Sequence, residues 1–345
     1  MLILLESALS SRMALTNRPF EMSRRLRFVC AVLAVALGLS GCAGHVSKQP
    51  PVTTGPFLVG YLPDYDGNYA DFARTLNLAR LTHLMLAFGH APMCSGTCTA
   101  QSDMTISLQQ SDADIAALVN SAHSAGLKVM ISLGGGDSAG DASISQFYRA
   151  GLSTSFAAAI DTWVTAHNLD GVDVDIEDPS TMGAPYGAFV SALARRMHAE
   201  GKILSAAVAP YLEPGIPDSA LAQFDLLNVM TYSTYAQAQS DLGYYADRKG
   251  VAPNRLILGV PFFATADGNT SVTYAQLLAA YPNAWQTDEV SGGSLDGGVA
   301  FDYVGESTMA RETKLGATYG GIMIWELSQD AAPPHSLLDV IRKNI

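Results

Sequence analysis

A chain of 345 residues, 48% apolar and 15% charged, can bury a full core and is neither low-complexity nor disordered in composition. Its formal charge of −12 makes it a poor partner for nucleic acid or an anionic lipid surface, both of which are bound through positive patches; a neutral polymer such as a glycan stays open. Beyond a leader-like stretch near the start, no run is long enough to span a bilayer.

From Met22 the sequence reads MSRRLRFVCAVLAVALGLSGCAG. Arg24, Arg25 and Arg27 form a charged n-region and Phe28 to Leu39 a short apolar h-region, the pattern of a secretory signal. It ends in Leu39-Ser40-Gly41-Cys42, which resembles a bacterial lipobox, with cleavage before Cys42 and lipid on its sulfur. Plain cleavage nearby, giving a free secreted protein, is the alternative. Residues 1–41 are thus read as a signal peptide with an over-long start, and 42–56 as the lipidated Cys and a polar, Pro-containing tether. Residues 57–345 form the folded body. Loss of 1–41 removes Arg12, Arg18, Arg24, Arg25 and Arg27 against Glu6 and Glu21, so the body is more acidic still. The expected location is the bacterial envelope, at the outer membrane through the lipid anchor alone, or outside the cell without it.

Cys30 leaves with the signal. Cys94 and Cys98 remain, in MCSGTC, and in an exported protein this spacing favours a small disulfide loop over free thiols or a metal site, for which no further ligands lie nearby in sequence. The 7 histidines form no pair at metal-ligand spacing, so neither metal nor cofactor is expected.

Along the body, strand-like apolar runs recur at 57–62, 81–88, 127–133, 169–177, 202–209, 224–232, 255–263 and 320–327. Helical patterns lie between them, among them SDADIAALVNSAHSAG, STSFAAAIDTWVTAHN and YGAFVSALARRMHAEG. Eight strand–helix units in this length predict a single-domain α/β fold, a closed (β/α)8 TIM barrel, rather than an open doubly wound sheet. No GxGxxG follows the first strand.

The fourth strand is the informative one. LDGVDVDIEDPS places Asp173, Asp175 and Glu177 at every second position, with Val172, Val174 and Ile176 between them. Strand side chains alternate faces. The apolar set therefore faces the helices and the three acids face the barrel interior, Glu177 highest at the mouth, where barrel chemistry sits. Carboxyls about 6–7 Å apart repel, so at least one keeps its proton above its ordinary pKa, as acid–base chemistry requires. A calcium loop would want a tight turn with a glycine at its sixth position, not strand formers between the acids. A serine hydrolase would want a G-x-S-x-G elbow, which Ser132-Leu133-Gly134-Gly135 lacks.

The residues Asp170, Asp173, Asp175 and Glu177 resemble the DxxDxDxE signature of glycoside hydrolase family 18, the chitinases and endo-β-N-acetylglucosaminidases. ISLGG (131–135) is similar to that family's SxGG on strand three, NVMTY (228–232) to its MxY on strand six, and GGIMIWELSQD (320–330) to its last strand, whose Trp floors the sugar pocket. The resemblance implies a glycosidase that cuts β-1,4 bonds after N-acetylglucosamine and takes its nucleophile from the substrate's own acetamido group. Glu177 is then the general acid and base, Asp175 the acetamido partner, Asp173 the group below it that shares its proton, and Tyr232 the donor to the acetamido carbonyl. Trp325, with Met230, Tyr61 and Phe88, would shape the sugar pocket. Chitin fragments are the first expected substrate and N-glycan cores the second; a non-catalytic lectin usually lacks the acid present here at Glu177. A monomer is expected.

Two departures stand out. Ser233 occupies the place of the Asp that follows the strand-six Tyr in many members. Only residues 264–300 lie where many chitinases insert an α+β domain, so the barrel is expected to lack a full insertion domain and to have a shallow, open groove.

Overall fold

Eight apolar segments, each too hydrophobic on one face to stay in water, pair side by side and are covered by the helices between them. The computed structural model describes residues 56–266, 270–292 and 295–345; the expected signal segment, the expected lipid site Cys42 and the expected tether as far as residue 55 lie outside the described residues. Strands β1 (Phe57–Pro63), β2 (His83–Gly89), β3 (Lys128–Gly134), β4 (Gly171–Asp175), β5 (Ile203–Val208), β6 (Leu226–Met230), β7 (Leu256–Pro261) and, after a further four, β12 (Gly321–Trp325) are all parallel. They close in the order β1-β12-β7-β6-β5-β4-β3-β2, the expected (β/α)8 barrel.

Burial divides as the period of two requires. Val172, Val174 and Ile176 join the continuous apolar layer that also holds Phe156, Ile160, Phe189 and Leu193 of the surrounding helices. A separate cluster inside the barrel contains Phe57, Val59, Tyr61, Met85, Met130, Ile257 and Met323. Each such side chain contributes roughly 1.5–3 kcal/mol through burial.

The acidic strand is shorter than its pattern suggested. Pairing of β4 with β5 ends at Val174 opposite Ala206, so Glu177 stands on the turn beyond the strand. Cys94 and Cys98 are joined by a disulfide in the loop after β2. Among the described residues, no helix is long and apolar enough to cross a membrane.

The segment between β7 and β12 is short but structured. Strands β8 (Phe263–Ala266), β9 (Thr270–Thr273), β10 (Glu289–Val290) and β11 (Phe301–Asp302) form an antiparallel sheet in the order β10-β11-β8-β9. The helix Tyr274–Ala280, closed by a capping box at Thr273 and Gln276, accompanies it. This is a reduced insert rather than a full domain. Its root is fixed to the barrel: the Phe262 N–H donates to the Trp325 carbonyl at 2.8 Å.

Behind the insert, on the helix Glu306–Ala317, Glu312 is fully buried and neither carboxyl oxygen has a partner among the described residues. Burial first, then the Asp288 charge, pushes its pKa up to about 8. Between its ordinary range and about pH 8 the folded state therefore holds a proton that the unfolded state has lost, so stability falls as pH rises. The slope from this group reaches about 1.4 kcal/mol per pH unit at its steepest. Glu312→Met, which fills the space without a charge, should be more stable than wild type at pH 8, and the advantage should shrink towards pH 5. Denaturation midpoints across that range check this; parallel curves for the two proteins would count against it.

Candidate active site

The lowest of the three acids is the most fully satisfied. Asp173 on β4 is 0% exposed. Its Oδ2 accepts from the Tyr61 hydroxyl at 2.8 Å and the Ser132 hydroxyl at 2.7 Å. Its Oδ1 accepts from the Ser205 hydroxyl at 2.5 Å and Asn228 Nδ2 at 3.3 Å. These donors come from β1, β3, β5 and β6, which bring one inward residue each to the same level. Burial raises the pKa of Asp173, and the four donors oppose it. A carboxyl that accepts four bonds is using its whole acceptor capacity, as the ionised form does.

Asp175 lies above it, 4% exposed, with Oδ1 buried and unpartnered among the described residues. Burial, then the charges of Glu177, Asp173 and Asp141, push its pKa well above the carboxylate range. The repulsion expected from the row of acids thus falls unevenly: Asp175, without the donors that serve Asp173, is pushed up the further of the two. No hydrogen bond joins Asp173 to Asp175 here among the described contacts.

Glu177 is half-buried at the mouth. Its Oε2 accepts from the Tyr211 hydroxyl at 2.7 Å, and its backbone N–H donates to Asp141 Oδ2 at 2.8 Å. Close approach of the β3 turn leaves no room for side chains. A Cβ on Gly136, whose φ is +75°, would stand 2.2 Å from Glu177 Oε1, and one on Gly134 would stand 2.2 Å from the Asp175 carbonyl. The glycines after Ser132 therefore let the β3 turn lie against the acids.

Aromatic residues supply the floor. Trp325 at the end of β12 stacks on Phe88 at 5.4 Å between centroids, and Tyr61 meets its edge at 5.7 Å. Tyr232, just past β6, has its phenol pKa raised by burial and then by the charges of Asp175 and Glu177, so it stays a donor. A cavity of about 280 Å³ is lined by Phe88, Gly135, Gly136, Asp175, Glu177, Met230, Tyr232 and Trp325. A larger hollow of about 1000 Å³ adjoins it at Tyr232 and runs past Ser233 and Tyr235 to Asp288, Asp302 and Arg311; it contains none of the three acids.

Of the residues expected at the site, Glu177, Asp175, Tyr232, Trp325, Met230 and Phe88 meet around one cavity. Tyr61 does not wall it. It is 1% exposed and sits beneath, where its hydroxyl serves Asp173. Asp170 is at the opposite end of β4, paired with Lys128 and His123, and acts on the fold. Sequence reasoning missed Ser205, Asn228, Asp141 and Tyr211. Ser205 and Asn228 had a signal, being lone polar residues in apolar strands; Asn228 is in period with Met230. Asp141 and Tyr211 had none, because the β-strand pattern says nothing about which loop or helix meets the turn at Glu177.

The sequence matches the family model described as glycosyl hydrolases family 18 over residues 58–330. The structure is similar to the GH18 chitinase ChiB from the chitin utilization locus of Flavobacterium johnsoniae, with a TM-score of 0.70 and 27% identity over 84% of this chain and 94% of that one. A chitinase from Bacteroides thetaiotaomicron gives a TM-score of 0.69 at 20% identity, over 84% of this chain and 96% of its own. A plant class V chitinase mutant from Cycas revoluta, in complex with (GlcNAc)3, gives 0.67 at 17%, over 84% and 99%. These last two speak for the fold alone. No curated protein sequence matches the chain. The family match spans most of the barrel, first strand to last, and on that ground the chain belongs to glycosyl hydrolase family 18.

Proposed function

We propose that this protein hydrolyses β-1,4 bonds after N-acetylglucosamine in chitin-type oligosaccharides, with retention of configuration and with the substrate's acetamido group as nucleophile. The observation that supports this best is the one-sidedness of the acids. Among the described residues, the carboxyls lining the cavity are Asp175 and Glu177, neighbours on one chain segment. A retaining enzyme with its own nucleophile needs two carboxyls about 5–5.5 Å apart on either side of the bond, and substrate-assisted enzymes dispense with the second.

In this reading Glu177 protonates the glycosidic oxygen as the acetamido carbonyl oxygen attacks the anomeric carbon. The C1–O bond to the leaving sugar breaks, and a bicyclic oxazolinium forms. Glu177, now ionised, takes a proton from water as that water opens the ring, which restores both acid and configuration. Asp175 and Tyr232 hold the acetamido group in attack geometry, a proximity effect. Trp325 lies against the apolar face of the sugar. The structural similarity at 27% identity to a chitinase supports chitin-like substrates.

Proton NMR of the first product from a chitooligosaccharide tests the scheme. The β anomer is expected, and a fully deacetylated oligomer should not be cut. An initial α anomer, or cleavage of the glycosidic bond at the anomeric carbon of a glucosamine, would sink the scheme.

A further inference from the structure

Glu177 stands beyond the end of β4, so the barrel's hydrogen-bond ladder does not fix it. The last paired residues on the two sides of the strand are Asp175, opposite Gly134, and Val174, opposite Ala206. Beyond Ile176, the backbone N–H groups of Glu177 and Asp178 turn towards the helix Ser138–Arg149. Both are taken by a single oxygen, Asp141 Oδ2, at 2.8 and 2.9 Å. Asp141 is 2% exposed, in the first turn of that helix. The helix is itself anchored where it begins: Asp137 caps it by accepting from the Ala139 and Gly140 N–H groups, both at 2.9 Å. His90 Nε2 lies 3.0 Å from the Gly134 carbonyl, which a Cβ on Gly140 would nearly touch.

A buried carboxyl costs free energy unless its bonds repay the lost hydration. Among the described residues Asp141 Oδ1 has no hydrogen-bond partner, and its neighbours include Glu177 and Asp175, both acidic. Packing alone would favour Asn, Leu or Met at such a place. What the carboxylate provides is a strong, charge-assisted acceptor for two adjacent N–H groups, placed on the one turn whose orientation decides where the Glu177 carboxyl points. We propose that Asp141 is the positioning residue for Glu177: its carboxylate clamps the Glu177–Asp178 turn so that the acid's carboxyl faces the glycosidic oxygen. Tyr211 then holds Oε2 from the solvent side, so backbone and carboxyl are fixed independently. The inference rests on the proposed glycosidase activity for its consequence, and on geometry alone for the clamp.

Two measurements keep these apart. Hydrogen exchange followed on the Glu177 and Asp178 amides reads the clamp with no substrate present. Both amides should be protected in wild type, stay largely protected in Asp141→Asn, whose carbonyl oxygen still accepts, and exchange freely in Asp141→Ala while the rest of β4 keeps its protection. Unprotected wild-type amides, or unchanged protection in Asp141→Ala, overturn the clamp. Steady-state kinetics on a chitooligosaccharide then read its consequence. Misplacing a reacting group by about 1 Å costs on the order of a hundredfold. Asp141→Ala should therefore lose about that much in kcat with KM little changed, and Asp141→Asn should recover most of it. A double-mutant cycle separates this from general damage: in a Glu177→Gln background, Asp141→Ala should cost almost nothing further in kcat. Additive losses, or a loss confined to KM, would reject the positioning role. An inactive wild type with protected amides would instead reject the glycosidase reading and leave the clamp standing.

Discussion

Glu177→Gln should fold as wild type, bind chitooligosaccharides and turn them over about 10²–10⁴-fold more slowly, the usual worth of a general acid and base. The geometry makes the comparison clean. Gln fills the same volume between Gly136 and Tyr211, and its amide oxygen can accept from the Tyr211 hydroxyl in place of Oε2. The backbone bond from residue 177 to Asp141 does not involve the side chain. What the variant lacks is a proton to give. Initial rates on a fluorogenic N-acetylglucosamine oligomer, beside calorimetric binding to the unlabelled oligomer, check both halves. A wild-type rate in the variant would remove Glu177 from its role.

Asp175→Asn should split activity from stability. Asp175 is 4% exposed, has an oxygen unpartnered among the described residues and is pushed well above its ordinary pKa by burial and then by Glu177, Asp173 and Asp141. A carboxyl with a raised folded-state pKa binds more protons folded than unfolded, so its contribution to stability falls as pH rises from the ordinary carboxylate range. Asn resembles the protonated form and has no charge to bury. The variant should unfold at a higher temperature than wild type at pH 8, with the gap closing towards pH 4. Its kcat should nevertheless fall by roughly 10²–10³, the scale set by removing one preorganised electrostatic group from a site, because a neutral amide cannot balance the positive charge of the oxazolinium. A stable thiazoline mimic of that ion should inhibit the variant less well. Thermal unfolding at the two pH values and inhibition constants decide the matter; a variant both less stable at pH 8 and equally inhibited would show that Asp175 is a structural carboxyl. Such a trade of stability for activity is common where a site keeps an ill-solvated charge.

The barrel and the row of acids were legible because both are written in period two, a pattern that survives whatever the rest of the chain does. Val172, Val174 and Ile176 had to be on the outside once Asp173 and Asp175 were inside. Tyr61 was placed on the correct strand but one layer too high, since periodicity gives the face of a strand and not the depth at which a long side chain ends. The reduced insert was not legible, because strands of two to four residues such as β10 and β11 carry too little alternation to be told from loop. Asp141 and Tyr211 escaped for a different reason. Their importance is a matter of which helix turn and which loop approach the end of β4, and only packing decides that.

The closure of the barrel through β1 and β12 has a kinetic consequence. Phe57 pairs with Gly321, so the first strand's outer edge waits for a segment that follows all seven other strands of the barrel. A polypeptide emerging from its amino end carries that row of unpaired N–H and C=O groups, a template for pairing with other chains, until β12 has been made. Long-range closure of this kind is slow, since the loop entropy must be met before the contact is gained. A chain cut short before β12 would lack Trp325 and leave β1 unsealed at once, and its loss of function would come with a tendency to aggregate that no change confined to the cavity should share.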